Sequence, residues 1–168
     1  MKSKQLTRNA LLTAIALTIF MIELQIPALV PIPGVKLGLA NIVTVFALFV
    51  YTPKDALSIL LVRVFLGAVF SGQISTLLYS AAGGLLCFAV LVLLRKILTE
   101  KQIWVASVIG AVFHNIGQII VAILVTGTPG IIVYLPILMV SGVIAGAFTG
   151  LCTQVLVGKL KANGFFKS

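Results

Sequence analysis

Ionisable and amide side chains are scarce in this sequence, and several of them fall inside long apolar stretches. His114, the only histidine, is followed by Asn115 and, after one helical turn, by Gln118. Residues four apart share one face of a helix, so His114 and Gln118 are expected to point the same way. Glu23 and Arg63 interrupt two other apolar stretches. A charge inside a bilayer costs about 3 kcal/mol or more, so these residue types favour a hydrogen-bonding site for a partly polar ligand.

Composition places these residues in a membrane protein. Hydrophobic residues make up 61% of the 168-residue chain and charged residues only 9%, whereas a typical soluble domain has about 25% charged residues. Because such a chain cannot hide its apolar groups from water, we expect an integral membrane protein. A spanning helix needs roughly 20 apolar residues, so the length allows one transmembrane domain with at most about six spans.

Six apolar stretches, separated by segments rich in proline, glycine and charge, predict an all-α bundle of six transmembrane helices. No stretch shows the strict alternation that lipid-facing β-strands require. The second and third stretches are the shortest, and 15 helical residues cover only about 22 Å of a hydrocarbon core of about 30 Å. The predicted spans are about residues 9–26, 37–51, 56–70, 77–94, 103–125 and 135–157.

The basic residues predict the orientation of this bundle. With six crossings, ten of the twelve Lys and Arg residues lie on one side, Lys36 lies on the other, and Arg63 falls within a span. Because basic loops stay in the cytoplasm, both termini are expected there. We therefore interpret the net charge of +9 as a topological signal, with the bilayer and not a nucleic acid as the partner.

Counting along the spans places most of the polar side chains in the outer half of the bundle. At about 1.5 Å per residue, Glu23 lies roughly 21 Å and His114 roughly 17 Å from the cytoplasmic end of its helix. Interhelical hydrogen bonds that only hold the bundle together are the alternative. A common depth on three or more helices favours a polar pocket that opens outward. The predicted binding residues are Glu23, Asn41, Arg63, Gln73, His114, Asn115 and Gln118.

Small residues recur at four-residue spacing in the last and first spans. Gly142, Gly146 and Gly150 leave one face of the last helix nearly bare, which permits close packing against another helix. Ala10 and Ala14 form a small face at the cytoplasmic end of the first span. This second face is expected either to pack within the bundle or to contact a partner subunit.

The sequence lacks the residues that several reactions require. There is no phosphate-binding loop of the G-x-x-x-x-G-K-[ST] type, so the chain cannot drive transport with ATP by itself. One histidine and two separate cysteines do not make a zinc site, and no metal or cofactor is expected. Prenyl-chain elongation needs clustered aspartates that hold Mg²⁺ on a diphosphate, and Asp55 is the only aspartate here. We therefore predict no catalytic residues in this chain.

Three segments resemble a known family: TRNALLTAIALTIFMIE at Thr7–Glu23, PIPGVKLGLANIVTVFAL at Pro31–Leu48 and HNIGQ at His114–Gln118. The chain resembles the Gx transporter family, also labelled heptaprenyl diphosphate synthase component I, from Thr7 to about Val157. That family is similar to the substrate-binding S components of energy-coupling-factor (ECF) transporters. The resemblance implies a six-helix fold with a ligand pocket near the outer face. It also implies that the small face at Ala10 and Ala14 docks onto a coupling subunit, with separate ATPases supplying the energy.

Three functions remain open. The leading hypothesis is a membrane-embedded, S-component-like subunit that binds a small organic solute for transport, such as a vitamin, an isoprenoid or a quinone precursor. The first alternative is an accessory membrane subunit of a heptaprenyl diphosphate synthase, with a soluble prenyl synthase subunit as its partner. The second alternative is a membrane anchor of a redox complex, in which the polar residues only stabilise the bundle. In each case the expected location is the bacterial cytoplasmic membrane.

Overall fold

The computed structural model describes residues 2–26 and 36–163, and over these residues it contains six α-helices and no other long elements. The all-α prediction is confirmed. The first part of the Pro31–Leu48 segment lies outside the described residues. The helices are α1 (Lys2–Glu23), α2 (Asn41–Val50), α3 (Pro53–Ser71), α4 (Ile74–Leu94), α5 (Ile103–Thr126) and α6 (Leu135–Ala162), and short 3₁₀ turns at Glu100–Gln102 and Pro129–Tyr134 precede α5 and α6.

Four helical stretches are long and apolar enough to cross a membrane, so the chain is a membrane protein. They are Ser3–Glu23, Ile74–Leu94, Glu100–Thr126 and Pro129–Ala162. The other two helices differ from them in length or charge. α2 has only 10 residues, which corresponds to about 15 Å, and α3 carries Lys54, Asp55 and Arg63 within its 19 residues.

The second predicted span begins later than expected. Residues 37–51 were predicted to be helical, but the helix starts only at Asn41. The physical reason is Gly38, whose φ of 79° is left-handed and cannot belong to an α-helix. Residues Lys36–Ala40 are therefore a non-helical loop that leads into α2.

The short helix α2 occupies the middle of the bundle, where it contacts each of the other five helices. Val43, Val45, Ala47 and Leu48 are all buried in the main apolar core. This burial explains why a helix of only 10 residues is almost wholly apolar, because protein and not lipid surrounds it. It also brings Asn41, the first residue of α2, into the protein interior.

The segment from Gly38 to Asp55 runs the length of α1. At one end, the backbone N–H of Gly38 donates to Glu23 Oε1 over 2.5 Å. At the other end, Asp55 Oδ1 accepts hydrogen bonds from Gln5 (2.6 Å) and Asn9 (2.8 Å). The helix from Gln5 to Glu23 rises about 27 Å. The segment from Gly38 to Asp55, which contains α2, therefore returns the chain to the N-terminal end of α1.

The glycines of α6 lie against α5. A Cβ on Gly146 would be 2.7 Å from the Cα of Val108, and one on Gly150 would be 2.6 Å from the Cα of Trp104. Real Cβ atoms do not approach another backbone so closely, so any larger residue here would push the two helices apart. This close packing fixes the height and rotation of α5, which carries His114, Asn115 and Gln118.

Candidate ligand-binding site

Five buried polar side chains from four helices come together at one end of the bundle. We call Glu23, Asn41, Arg63, His114 and Gln118 the buried polar cluster. Their relative exposures range from 1% for Gln118 to 8% for Asn41. They come from the end of α1, the start of α2, and the middle parts of α3 and α5. Five of the seven predicted binding residues are thus neighbours in space.

Glu23 is held by the backbone of the loop that precedes α2. Its carboxylate accepts a hydrogen bond from the N–H group of Gly38, and the Ala40 backbone and the charges of Arg63 and Lys36 lie close enough to interact with it. The Lys36 ammonium lies 4.6 Å from the centroid of the Phe20 ring. Burial lowers the pKa of Lys36 below its ordinary value, and the Glu23 carboxylate opposes that effect.

Arg63 contacts an amide and not a carboxylate. Its Nη2 donates to Asn41 Oδ1 over 3.0 Å, whereas its Nε has no hydrogen-bond partner among the described residues. No direct ion pair joins Arg63 to Glu23 within the described part of the chain. A guanidinium group has five N–H donors, and at 3% exposure water does not satisfy them from the surface. The site therefore has spare hydrogen-bond donors.

The Gln118 amide connects His114 to the loop and indicates which His114 nitrogen carries the proton. Gln118 Oε1 accepts from the backbone N–H of Lys36 over 3.3 Å, so its Nε2 is the atom 3.1 Å from His114 Nε2. An amide nitrogen donates, so His114 Nε2 must accept, and the ring is neutral with its proton on Nδ1. That Nδ1 lies beside the Gly83 backbone but makes no hydrogen bond of normal geometry with the described residues.

The other two predicted binding residues lie outside this cluster. Asn115 faces α6, where its Nδ2 donates to the carbonyl oxygen of Leu138. Gln73 is exposed at the start of α4 and caps no helix N–H. Depth along the helix was similar for these residues, but depth does not determine which way a side chain points.

Sequence reasoning missed the part played by the loop. The N–H groups of Lys36 and Gly38 donate to Gln118 and Glu23 of the buried polar cluster. The second glycine of PGVKLG, Gly38, could have indicated this loop. A glycine next to a span often marks a left-handed turn. Gly38 has that conformation, and a Cβ there would lie 2.9 Å from His114 Cδ2.

An apolar groove of about 800 Å³ borders the same loop. Leu37 and Leu39 line one side of it, and the first half of α6 lines the other, with Ser141 as its single polar side chain. Alternate residues of the loop therefore serve two regions. Lys36 and Gly38 bind the polar cluster through their backbone N–H groups, while Leu37 and Leu39 face the groove.

A family model described as heptaprenyl diphosphate synthase component I matches residues 12–156. The chain belongs to this family. The match confirms the family resemblance predicted from the sequence, and its range contains all five residues of the buried polar cluster. No curated protein and no solved structure matches the chain.

In this member of the heptaprenyl diphosphate synthase component I family, the only aspartate is fully engaged at the other end of the bundle. Burial alone would raise the pKa of Asp55, but hydrogen bonds and the charge of Arg8 outweigh burial and lower it to about 2. The residues described here contain no group of three His, Cys, Asp or Glu side chains placed to hold a metal ion. Four side chains donate to the Asp55 carboxylate: Gln5 (2.6 Å), Asn9 (2.8 Å), Thr52 (2.8 Å) and Arg8 (3.1 Å).

The small face of α1 lies on the surface. Ala10 and Ala14 are exposed, as are the neighbouring Leu11 (63%) and Ile15 (44%). Within the described residues this face does not pack against another helix of the bundle. It is therefore available to lipid or to a partner subunit.

Proposed function

We propose that this protein is a membrane-embedded subunit that binds a small organic ligand at the buried polar cluster. One observation carries the proposal: five buried polar side chains from four helices meet, yet the Arg63 guanidinium bonds only to Asn41 and its Nε has no hydrogen-bond partner among the described residues. Buried polar groups are normally satisfied within a protein, so unpaired donors at a common site favour a bound ligand as the partner.

We further propose that the bundle crosses the membrane six times, with both termini in the cytoplasm. The contacts of Asp55 with Gln5 and Asn9 support this topology, since they return the chain to the N-terminal end of α1 before α3 begins. The buried polar cluster is then at the outer end of the bundle. It takes its ligand from outside the cell.

The first candidate role is that of an S-component-like binding subunit of a transporter. In this role the exposed face of Ala10 and Ala14 docks onto a coupling subunit, and separate ATPases provide the energy. The spare donors of the buried polar cluster, which suit a ligand with polar groups, favour this role.

The second candidate role is that of an accessory membrane subunit of a heptaprenyl diphosphate synthase. The family description and the apolar groove of about 800 Å³ beside the cluster favour it, because a prenyl chain is apolar. The catalytic aspartates then belong to a soluble partner subunit. No observation favours the third role, the membrane anchor of a redox complex. It serves as the hypothesis with which the other two roles are compared.

Ligand binding is tested by thermal unfolding of the purified protein in phosphatidylcholine nanodiscs with vitamins, flavins, quinone precursors and prenyl phosphates. A ligand at 100 times its Kd stabilises the folded state by about 2.7 kcal/mol. We expect one compound class to raise the Tm of the wild type and of Gln73→Ala, but not that of His114→Ala. The Gln73 variant is a matched control because it changes an exposed residue. No shift with any compound at millimolar concentration would contradict the binding proposal.

The two roles are separated by what a deletion strain loses. A transporter subunit predicts lost uptake of the ligand and co-purification with a coupling subunit and ATPases. A synthase subunit predicts lost long-chain prenyl product and co-purification with a soluble, aspartate-rich synthase. If His114→Ala lowers only the thermal stability and leaves both activities intact, the polar cluster only stabilises the bundle. That result is expected if the protein is the membrane anchor of a redox complex.

A further inference from the structure

Basic side chains collect where helices α4, α5 and α6 meet at one end of the bundle. We call five of them the basic patch: two follow α4, one lies in the 3₁₀ turn before α5, and two lie in the last turn of α6. They are Arg95, Lys96, Lys101, Lys159 and Lys161. Glu100 is the only acidic residue within residues 95–102 and 159–163, so five positive charges against one negative charge leave a formal net charge of +4.

The end of α6 is held against the start of α5 and the turn before it. Lys161 forms an ion pair with Glu100, and the Gln154 side-chain oxygen accepts a hydrogen bond from the backbone N–H of Trp104 over 3.4 Å. A Cβ on Gly150 would lie 2.6 Å from the Cα of Trp104, so the two helices are in close contact here. The basic residues of the α4–α5 connection and of α6 therefore form one corner of the bundle.

The chain itself offers no further anion to this corner. It has only three acidic residues, and the two besides Glu100 are Glu23 and Asp55, which are buried and hydrogen-bonded elsewhere. Among the described residues, Arg95, Lys96, Lys101 and Lys159 form no ion pair. An anion that neutralises the basic patch must therefore come from outside the chain.

The basic patch lies at the depth of the lipid head groups. All three helices that meet there are long and apolar enough to cross a membrane. α6 has 28 residues, or about 42 Å, and must extend beyond a hydrocarbon core of about 30 Å. Because a charge in the hydrocarbon is unfavourable, the end with Lys159 and Lys161 is the end that extends beyond it.

Apolar side chains border the patch on its lipid-facing side. Trp104, the second residue of α5, is 42% exposed, and tryptophan is enriched where a membrane meets water. Two neighbours in sequence of the basic residues are exposed as well, namely Leu93 (61%) and Ile97 (77%). The corner thus combines cations at head-group depth with an apolar border that faces the acyl chains.

From this arrangement we infer that the basic patch is a binding site for an anionic phospholipid, with the lipid phosphate at the Lys and Arg side chains and an acyl chain beside Trp104. Lys and Arg bind phosphate through charge-assisted hydrogen bonds. A phospholipid fits better than an acidic soluble protein, because the cations are continuous with the apolar border. The inference goes beyond the proposed function and does not depend on a ligand at the buried polar cluster.

Trp104 provides the test, because it borders the patch and is the only tryptophan of the chain. The protein is placed in phosphatidylcholine nanodiscs that contain increasing fractions of a lipid with brominated acyl chains, which quench tryptophan fluorescence on contact. Brominated phosphatidylglycerol is compared with brominated phosphatidylcholine. We expect half-maximal quenching at a fraction of the anionic lipid about fivefold lower or less, since one Lys or Arg near the surface contributes about that factor. The preference should decrease as salt is added.

Variants then locate the lipid. Lys96→Gln with Lys101→Gln removes two charges of the patch and is expected to lower the preference for phosphatidylglycerol about fivefold or more. Lys4→Gln with Lys54→Gln removes the same charge from exposed positions at the starts of α1 and α3, and it should retain the preference of the wild type. Glu100→Gln removes the anion of the patch and should increase the preference. Quenching by brominated phosphatidylcholine in each variant checks that Trp104 still faces the lipid.

Equal quenching by the two brominated lipids in the wild type would overturn the inference, and this comparison needs no variant. If that protein bound soluble polyglutamate in phosphatidylcholine nanodiscs, an acidic protein would be the partner of the patch. A preference that the two double variants lower by the same factor would also overturn the inference, because it would describe a general attraction to a cationic surface and not a site.

Discussion

The side chain of Asn115 occupies the space that a side chain on Gly142 would need. An ideal Cβ on Gly142 would lie 2.5 Å from Asn115 Nδ2, the atom that donates to the carbonyl oxygen of Leu138. A glycine in α6 thus allows an amide of α5 to bond to the α6 backbone. Because Gly142 has no side chain, α5 and α6 can pack closely and the buried Asn115 amide can donate to the carbonyl oxygen of Leu138.

Gly142→Ala is therefore expected to destabilise the protein. The added methyl group must displace the Asn115 amide, which breaks its bond to Leu138, and overpacking of this kind costs about 1–3 kcal/mol. Thermal unfolding followed by circular dichroism measures the effect. Gly158→Ala in the same helix is the matched control, because a Cβ there has no neighbour within 4 Å and alanine favours the helix. A Tm for Gly142→Ala as high as that of the control would show that Asn115 moves without cost.

A second pair of glycines separates backbone strain from contact with the site. Gly38 and Gly72 both have left-handed backbones, with φ of 79° and 67°, so alanine costs about 1–2 kcal/mol at either position. Only at Gly38 does a Cβ meet the site, 2.9 Å from His114 Cδ2; at Gly72 it has no neighbour within 4 Å. We expect Gly38→Ala to be the less stable variant and to lose ligand binding, whereas Gly72→Ala should bind as the wild type does. Equal binding by the two variants would contradict the assigned position of the ligand beside His114.

The Asp55 cluster predicts a pH dependence of stability. Because the pKa of Asp55 is lowered from 3.8 to about 2 in the folded protein, the ionised carboxylate stabilises the fold. A shift of this size contributes about 2 kcal/mol, which is present above about pH 4 and is lost as the pH falls towards 2. The wild type should therefore be more stable than Asp55→Asn at pH 6, and the difference should disappear near pH 2.

The free energy of unfolding in mixed micelles, measured from pH 2 to pH 7, checks this prediction. Glu100→Gln is the control, because Glu100 and its partner Lys161 are each about half exposed and such pairs contribute little. The control should show no comparable pH-dependent loss. A constant difference between wild type and Asp55→Asn over the whole pH range would show that the carboxylate is not preferentially ionised in the folded protein.

The meeting of polar residues was predictable from the sequence, but its geometry was not. Glu23 and His114 interrupt apolar helices, and such residues must turn inward to avoid lipid, so a shared interior site follows. Helix rotation depends on packing with neighbours, which explains why Asn115 faces α6. Gln73 is exposed because it lies in the short connection between α3 and α4. Arg63 donates to Asn41, the first residue of α2, and the left-handed turn at Gly38 that precedes this helix was not predicted from the sequence.

The six proposed crossings can be tested at the loops that connect the helices. In a background where Cys87 and Cys152 are replaced by alanine, single cysteines are introduced at exposed positions and treated with a membrane-impermeant maleimide in intact cells. Gln73→Cys and Gly130→Cys, in the connections after α3 and α5, should react at once. Lys54→Cys should react only after the membrane is disrupted.

The position of Lys54 tests whether the chain crosses the membrane at α2. This helix has only 10 residues, about half the length that a spanning helix needs. If α2 turned back before crossing, Lys54 would be accessible from outside. The structure argues otherwise: the adjacent Asp55 accepts hydrogen bonds from Gln5 and Asn9, near the N-terminal end of a helix long enough to cross. Lys54 must then lie on the same side of the membrane as Gln5. Reaction of Lys54→Cys in intact cells, with Ser3→Cys protected, would contradict six crossings.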